Sequence, residues 1–383
     1  MNTLLAAISL LTALFISGAF PTSFGRCESR NVSQALFNSL EELARIVDIS
    51  YCVGLTGIQK PFQCLSRCDD FRGFELVSTW HTGVLLSDSC GYVALSHPPY
   101  PKRIVVAFRG TYSIANTIAD LSTIPAEYAP FPADGGEGED VCASRNEGKH
   151  IYNGQTRRAG GSPIGPKCEN CTVHLGFMTS WKNTRCIVIP HIEKALSEYP
   201  DYQLTLVGHS LGGAVAALAS LEFQARGWEP QVTTFGEPRI GNQAFNSYMD
   251  NRFSLLHQDS SKLSYRRVTH ASDPVPLLPL EGWGYHAHAG EVFISKSDLP
   301  PGLADLEHCE GGEDPACIAG PRVGGAISTA GFSAQHTWHM PDRFKFWQLF
   351  FAHRDYFWRL GLCAPQKGGW WSPDQSVSAQ EEL

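Results

Sequence analysis

The sequence lacks an excess of positive charge. Its 30 lysines and arginines are outnumbered by 38 aspartates and glutamates, which gives a formal net charge of −8. Proteins that neutralise nucleic-acid phosphates need the opposite balance, so the composition gives no reason to expect a nucleic-acid partner. It also disfavours attachment to an anionic membrane through a basic patch, but it leaves an apolar lipid surface open as a partner.

Long apolar runs are equally scarce. Charged residues make up 18% and hydrophobic residues 43% of the 383 positions, as expected of a globular chain, and no internal repeat is visible. Only residues 4–16 form a long apolar stretch, and small residues up to Ala19 follow it. This pattern predicts a signal peptide at residues 1–19, although Met1-Asn2-Thr3 carries no basic residue. The run is short for a membrane span of ~20 apolar residues, which favours cleavage and secretion over an uncleaved anchor.

Cysteine, in contrast, is plentiful. All twelve cysteines follow the predicted signal peptide, and in a secretory context an even number predicts up to six disulfides. The Cys168-Glu169-Asn170-Cys171 motif is therefore interpreted as a disulfide rather than as a metal or redox site. Two sequons fit the same compartment and predict N-glycosylation at Asn31 and Asn170.

The stretch from Leu204 to Ala214 contains the most informative motif. A strand-like segment leads into Gly208-His209-Ser210-Leu211-Gly212, and a helix of small residues follows. This is the pattern of the nucleophile elbow of an α/β-hydrolase, in which the serine projects from a sharp turn that only flanking glycines permit. The N-terminus of the following helix directs its free N–H groups towards the place where an oxyanion forms.

The remaining members of a hydrolase triad follow the serine along the chain, in the order acid and then histidine. Asp273 comes directly after a predicted strand in a proline-rich loop, which makes it a good candidate for the acid. Spacing alone leaves the histidine open among several later candidates, namely His286, His288, His308, His336, His339 and His353. A metal site at His286 and His288, or at His336 and His339, is only weakly indicated.

Three further segments surround this core. A buried strand, 104–108, ends at Arg109-Gly110-Thr111, and an amphipathic helical face with Ile114, Ile118 and Leu121 comes next. Residues 129–171 are rich in glycine and proline, and this composition predicts a surface insertion held in place by disulfides. The polar composition of residues 366–383 predicts a loose tail.

Taken together, the motifs of residues 45–365 resemble the fungal-type class 3 triacylglycerol lipases. The shared motifs are Ser50-Tyr51-Cys52, Phe108-Arg109-Gly110-Thr111, Ile118-Ala119-Asp120-Leu121, Val173-His174-x-Gly176-Phe177, Gly208-His209-Ser210-Leu211-Gly212-Gly213, Phe235-Gly236-Glu237-Pro238-Arg239, Asp273-Pro274-Val275-Pro276, His288-Ala289-Gly290-Glu291 and His353-x-x-Tyr356-Phe357. The resemblance implies one α/β-hydrolase domain over 27–365, with a central, mostly parallel sheet flanked by helices, a lid helix and the insertion.

The resemblance also implies residue roles. Ser210, Asp273 and His353 match the triad, and Thr111 and the Leu211 N–H match the oxyanion hole. The helix with Ile114, Ile118 and Leu121 matches the lid, although Thr117 stands where many relatives carry tryptophan. The disulfides implied are Cys52–Cys363, Cys64–Cys68 and Cys309–Cys317. The resemblance leaves Cys27, Cys90, Cys142, Cys168, Cys171 and Cys186 without assigned partners.

The function expected is that of a secreted serine hydrolase that cleaves acylglycerols at an oil–water interface, without a metal or other cofactor. Alternatives on the same scaffold are a feruloyl or other cell-wall esterase, which would have a polar and immobile flap, and a phospholipase or acyltransferase. A catalytically inactive binding protein is a further alternative, but every residue type that the chemistry needs is present. The apolar face of the predicted lid favours a lipid substrate.

Overall fold

An eight-stranded mixed sheet forms the centre of the structure, a computed structural model that describes residues 30–83, 87–111, 125–130, 167–256, 262–320 and 351–365. Its order is β1-β2-β3-β6-β7-β8-β9-β10, and the neighbours from β3 to β9 are parallel. The remaining two strands, β4 and β5, pair with each other. The strands are β1 Phe74–His81, β2 Cys90–Ser96, β3 Arg103–Arg109, β4 Pro125–Glu127, β5 Thr172–His174, β6 Gln203–His209, β7 Gln231–Phe235, β8 Tyr265–His270, β9 Glu291–Ile294 and β10 Leu306–His308.

Helices cover both faces of this sheet. They are α1 Gln34–Ile49, α2 Leu175–Glu198, α3 Leu211–Ala225 and α4 Gln243–Phe253. The side chain of Ser33 caps α1 by accepting a hydrogen bond from the Leu36 N–H at 3.2 Å. The described residues from Asn31 onward belong to one compact unit.

The central strand β3 shows why the sheet is buried on both sides. Ile104, Val106 and Phe108 pack into one core with residues of α2 and α3. Val105 and Ala107, which point to the opposite face, pack into a second core with residues of α1. A continuous apolar run is what a strand needs when neither of its faces meets water.

The helix after β6 lies close to the sheet because its side chains are small. Ala214, Ala216, Ala217 and Ala219 are all fully buried. The close approach brings the first turn of α3 to the carboxyl ends of β3 and β6, the edge at which open α/β sheets bind ligands.

Several elements differ from the sequence prediction. The sequence predicts a helix from Ile187 to Tyr199, whereas α2 begins at Leu175, directly after β5. His174 caps it by accepting a hydrogen bond from the Gly176 N–H, and the polar residues of its first turns obscure the helical period. The short strand β10 and the helix α4 were not predicted, because neither has a strong apolar period.

Several predicted segments lie outside the described residues. They are the signal peptide 1–19, the lid residues Ile114, Ile118 and Leu121, residues 131–166 of the insertion, and the tail 366–383. Within the described ranges, no helix combines the length and the apolar character that crossing a membrane requires. Asn31 and Asn170 are both exposed, and their glycosylation stays a prediction.

The disulfides implied by the resemblance are present. Cys52 pairs with Cys363, Cys64 with Cys68, and Cys309 with Cys317. Two cysteines that the resemblance left unassigned, Cys168 and Cys171, pair with each other, and Cys186 is also disulfide-bonded.

The expectation that every cysteine is paired is wrong at Cys90. This residue lies at the start of β2, is buried, and carries a free thiol. Burial raises the pKa of the thiol, so it is the protonated, unreactive form that fills the core position. The even count of cysteines misled the prediction because a buried cysteine also packs as a small hydrophobic residue.

A thiol titration tests this correction. We expect the denatured, unreduced protein to show at least one thiol, and Cys90→Ser to lower the count by one. A count of zero, or an unchanged count in Cys90→Ser, would contradict the assignment of Cys90 as a free thiol.

Candidate active site

The turn between β6 and α3 holds Ser210 in a conformation that few residues adopt. Its φ is 58° and its ψ is −129°, and its side chain is buried. A Cβ at Gly208 would lie 2.3 Å from the Gly212 oxygen, and one at Gly212 would lie 2.3 Å from the Phe108 oxygen. Glycine at both positions is therefore a steric requirement of the turn, and its strain is typical of functional sites.

The end of β7 supports this turn. The N–H of Ser210 donates to the Phe235 oxygen at 2.9 Å. The next residue, Gly236, has a positive φ of 59°, and a Cβ there would lie 2.8 Å from His353 Cε1 and 2.9 Å from Asp273 Oδ2. Gly236 thus leaves the space in which the imidazole and the carboxylate meet.

Asp273 and His353, which are far apart in the sequence, form a buried pair. His353 Nδ1 lies 2.9 Å from Asp273 Oδ2 and 3.0 Å from Oδ1. Asp273 is 1% exposed and His353 is fully buried. A carboxylate can only accept here, so Nδ1 carries the proton and Nε2 is free to act as a base.

Two further donors hold the carboxylate of Asp273. The Tyr356 hydroxyl donates to Oδ2 at 2.6 Å, and the Val275 N–H donates to Oδ1 at 2.9 Å. Burial, reinforced by the negative charge of Asp273, raises the pKa of Tyr356 well above its usual value, so the hydroxyl stays protonated as a donor. The role of Tyr356 was not predicted, although its spacing of three residues from His353 within one tight turn was visible.

The predicted oxyanion residues both adjoin the turn of Ser210: Thr111 follows Gly110, which lies beside Ser210, and Leu211 is the next residue along the chain. A Cβ at Gly110 would lie 2.9 Å from Ser210 Cβ, which puts the Gly110–Thr111 peptide beside the serine. Arg109 Nε donates to the Gly110 oxygen at 3.2 Å, and the N–H of Thr111 points the opposite way because the peptide is trans. Leu211 is the first residue of α3, so its N–H has no acceptor within the helix.

The other candidate histidines have different surroundings. His288 Nε2 lies 2.9 Å from Glu237 and its Nδ1 lies 2.8 Å from the Ala289 oxygen. His286 is half-buried near Glu281, His308 is buried on β10, and His336 and His339 lie outside the described residues. Among the histidines that the structure describes, His353 is the one whose ring is hydrogen-bonded to the carboxylate of Asp273.

A second histidine, His209, packs directly against His353. Their ring centroids are 4.7 Å apart, and His209 Nε2 lies 2.8 Å from the His353 carbonyl oxygen. On its other side, His209 Nδ1 is hydrogen-bonded to the Tyr51 hydroxyl. His209 and Tyr51 both belong to sequence motifs named above, but a role was predicted for neither.

Metal-ligating side chains converge at one place within the described ranges, and the chemistry there does not suit an ion. The group is Glu291, Cys309 and Cys317. The two cysteines form a disulfide, and Glu291 lies 3.3 Å from Arg267. No thiolate is present, and the carboxylate already has a cationic partner.

The Ser210 Oγ and His353 Nε2 atoms complete the description of the site. Both are buried and neither makes a hydrogen bond within the described part of the chain. Such an arrangement suits nucleophilic attack assisted by a base, because it leaves a hydroxyl and a basic nitrogen available beside backbone N–H donors. The parallel sheet and the glycine-flanked serine turn define an α/β-hydrolase.

Comparison with known proteins gives the family. The profile of the family described as "Lipase (class 3)" matches residues 105–283. The chain is 48% identical over 361 residues to the secreted mono- and diacylglycerol lipase 2 of Gibberella zeae, covering 88% of this chain and 84% of that protein. The chain belongs to the class 3 lipase family.

Two more relatives agree with this assignment. Lipase A of Sodiomyces alcalophilus is 47% identical over 366 residues, which cover 87% of this chain and 83% of that protein. The solved structure of nonglycosylated LIP2 lipase from Yarrowia lipolytica is 30% identical with a TM-score of 0.67, covering 88% and 99% of the two chains. The predictions of the fold class, of a secreted protein and of an acylglycerol-hydrolysing enzyme are confirmed.

The hydrogen bond from Tyr356 to Asp273 provides a test of the site. We expect Tyr356→Phe to lower kcat on a soluble ester by roughly ten- to a hundredfold, since a hydrogen bond to a charged group contributes about 1.5–3 kcal/mol. Tyr92→Phe is the matched control, because Tyr92 is also fully buried and donates to the Ile46 oxygen at 2.8 Å, away from the site. Equal effects of the two substitutions on kcat would show that Tyr356 contributes only to folding.

Proposed function

We propose that Ser210, His353 and Asp273 are the catalytic triad of this lipase. The observation that carries the proposal is the buried hydrogen bond between His353 Nδ1 and Asp273, beside the strained turn of Ser210. His353 Nε2 takes the proton of the Ser210 hydroxyl as Oγ attacks the ester carbonyl. The carboxylate of Asp273 fixes the tautomer and stabilises the imidazolium that forms.

The reaction then proceeds in two halves. His353 returns the proton to the leaving glycerol oxygen, and the acyl group stays on Ser210 as an ester. Water, deprotonated by the same Nε2, attacks this acyl-enzyme, and the fatty acid leaves as Ser210 regains its proton. Both tetrahedral intermediates carry an oxyanion, for which we propose the Thr111 N–H and hydroxyl and the Leu211 N–H as donors.

The preferred substrates that we propose are mono- and diacylglycerols. The relative from Gibberella zeae, which matches over most of both chains, is named for these substrates. The expectation from the sequence was an acylglycerol hydrolase that resembles triacylglycerol lipases, and the hydrolytic step is the same for mono-, di- and triacylglycerols. The difference between them lies in how many acyl chains the binding groove must accommodate.

The proposed lid bears on the same question. Ile114, Ile118 and Leu121 would cover the site in water and move outward at a lipid surface, which would expose an apolar acyl groove. Two leucines that follow Asp273 pack against the protein interior: Leu277 packs against Phe293 and Ile318, and Leu278 packs against the larger core.

A panel of substrates tests this function. The panel contains mono-, di- and triacylglycerols that all carry the same fatty acid, a phospholipid with that fatty acid, and methyl ferulate. We expect hydrolysis of the first two to be fastest and Ser210→Ala to abolish all turnover. Ser220→Ala is the matched control, since its buried hydroxyl donates to the Ala217 oxygen on the same helix, α3, and it should retain wild-type rates.

The panel also separates the alternatives. Turnover that persists in Ser210→Ala would refute the triad. Activity confined to methyl ferulate or to the phospholipid would leave the triad intact and overturn the acylglycerol preference. A rate highest on emulsified triacylglycerol would restore the substrate expected from the sequence.

The oxyanion role of Thr111 has a separate test. Thr111→Val keeps the side-chain shape and removes the hydroxyl, so we expect kcat to fall by roughly 10²-fold, as for the loss of one oxyanion donor. Thr111→Ser keeps the hydroxyl and should stay within a few-fold of the wild type. A Thr111→Val rate close to the wild-type rate would assign the side-chain donor to another residue.

A further inference from the structure

His209 connects the two halves of the site. It immediately precedes Ser210 at the end of β6, and its Nε2 lies 2.8 Å from the backbone oxygen of His353. The residue is 1% exposed, and its ring packs against the ring of His353 at a centroid distance of 4.7 Å, with the two planes tilted by 32°. The residue beside the serine therefore contacts both the backbone and the ring of the histidine that the serine needs.

The hydrogen-bond partners of His209 allow one proton arrangement. The His353 oxygen can only accept, so His209 Nε2 carries a hydrogen. Burial lowers the pKa of His209 well below its usual value, and the positive charge that His353 takes up lowers it further. The ring is therefore neutral, and its Nδ1 accepts a hydrogen bond from the Tyr51 hydroxyl.

The elements packed around His209 reinforce this state. The titratable and charged groups that face it are Tyr51 from the turn after α1, and His353, Arg354 and Tyr356 from the C-terminal segment. None of these is an acid that would favour a charged imidazole. The Tyr51 hydroxyl in turn fills the space beside Gly110, where a Cβ would meet it at 2.5 Å.

We propose that His209 is a positioning residue for His353, which it holds by its backbone oxygen, and that Tyr51 fixes the tautomer that makes this hydrogen bond. The proposal rests on the function proposed above for Ser210 and His353. A shift of the His353 backbone away from Ser210 requires its carbonyl to leave the Nε2–H of His209. Because the donor belongs to the residue next to Ser210, the bond fixes the backbone that carries the imidazole relative to the serine, and the ring of His209 packs against the imidazole itself.

Other contacts hold the same segment at its far end. Cys363 is bonded to Cys52, the Gly361 N–H donates to Asp48, and Arg354 donates to the Gly361 oxygen at 2.7 Å. These contacts keep the segment folded onto the protein in the absence of the His209 bond. Loss of the His209 donor should therefore affect the alignment of His353 more than the stability of the fold.

Two amide substitutions distinguish positioning from a general need for a polar residue. In His209→Gln the side-chain amide nitrogen reaches the place of Nε2 and can still donate to the His353 oxygen. In His209→Asn the amide nitrogen reaches only the place of Nδ1. We expect Asn to lower kcat on a soluble short-chain ester about tenfold with KM unchanged, and Gln to stay within about threefold of the wild type.

Two further measurements support the comparison. Tyr51→Phe leaves Nδ1 without its donor and lets the ring adopt the other tautomer, so kcat should fall while KM stays unchanged. Active-site titration with a phosphonate ester, which modifies Ser210, counts folded sites. We expect full stoichiometry in every variant and a slower rate of modification in His209→Asn and Tyr51→Phe.

The outcomes distinguish the positioning role of His209 from the catalytic function proposed for Ser210 and His353. Equal kcat values for the Gln and Asn variants, or a loss that follows the number of titratable sites, would overturn the positioning role. Turnover in Ser210→Ala, measured alongside, would overturn the proposed function. If His209→Asn yields no folded protein, Tyr51→Phe decides in its place, and a wild-type kcat there would refute the proposal.

Discussion

The rest of the site depends on the backbone of Ser210. A serine with φ of 58° and ψ of −129° is strained, and the surrounding structure must hold it there. Three close approaches do so, because Gly208 meets the Gly212 backbone, Gly212 meets the Phe108 backbone, and Gly110 meets the side chain of Ser210. A side chain at any of these positions would force β3, β6 and α3 apart. Close packing at the carboxyl edge of the sheet thus holds the Ser210 hydroxyl in its position.

The second constraint is that the histidine must reach this turn from the far end of the chain. The segment with His353 is attached to the N-terminal part of the chain at several points, including the Cys52–Cys363 disulfide and the hydrogen bond from the Gly361 N–H to Asp48. Burial raises the pKa of Asp48, so part of the stability that this carboxylate gains from its donors is offset by desolvation. The Cys52–Cys363 disulfide complements the Asp48 hydrogen bond, because a covalent link that closes a long loop lowers the conformational entropy of the unfolded chain and needs no buried charge.

The features that depend on local sequence pattern could be predicted from the sequence. The elbow, the strands from β1 to β3 and the two-sided burial of β3 follow from short-range steric and hydrophobic rules. The choice of His353 did not follow from spacing and needed the family resemblance, because the contact with Asp273 is made by the fold. The roles of Tyr356 and Gly236 were missed for the same reason. The start of α2 was missed because the polar residues of its first turns have no apolar period. The free thiol of Cys90 was missed because an even number of cysteines does not show which of them form disulfides.

The two adjacent imidazoles need different charge states, and their surroundings favour this difference. In the proposed mechanism His353 becomes cationic during catalysis, whereas a cationic His209 at 4.7 Å would repel that charge. Burial and the positive charge of Arg354 favour a neutral His209, while His353 faces the carboxylate of Asp273. In the proposed mechanism the proton taken from Ser210 therefore goes to His353 rather than to His209. The hydrogen bond from His209 Nε2 to the His353 oxygen by itself raises the pKa of the His209 ring, and burial outweighs it. Burial thus controls the charge of His209, and this hydrogen bond controls its position relative to the backbone of His353.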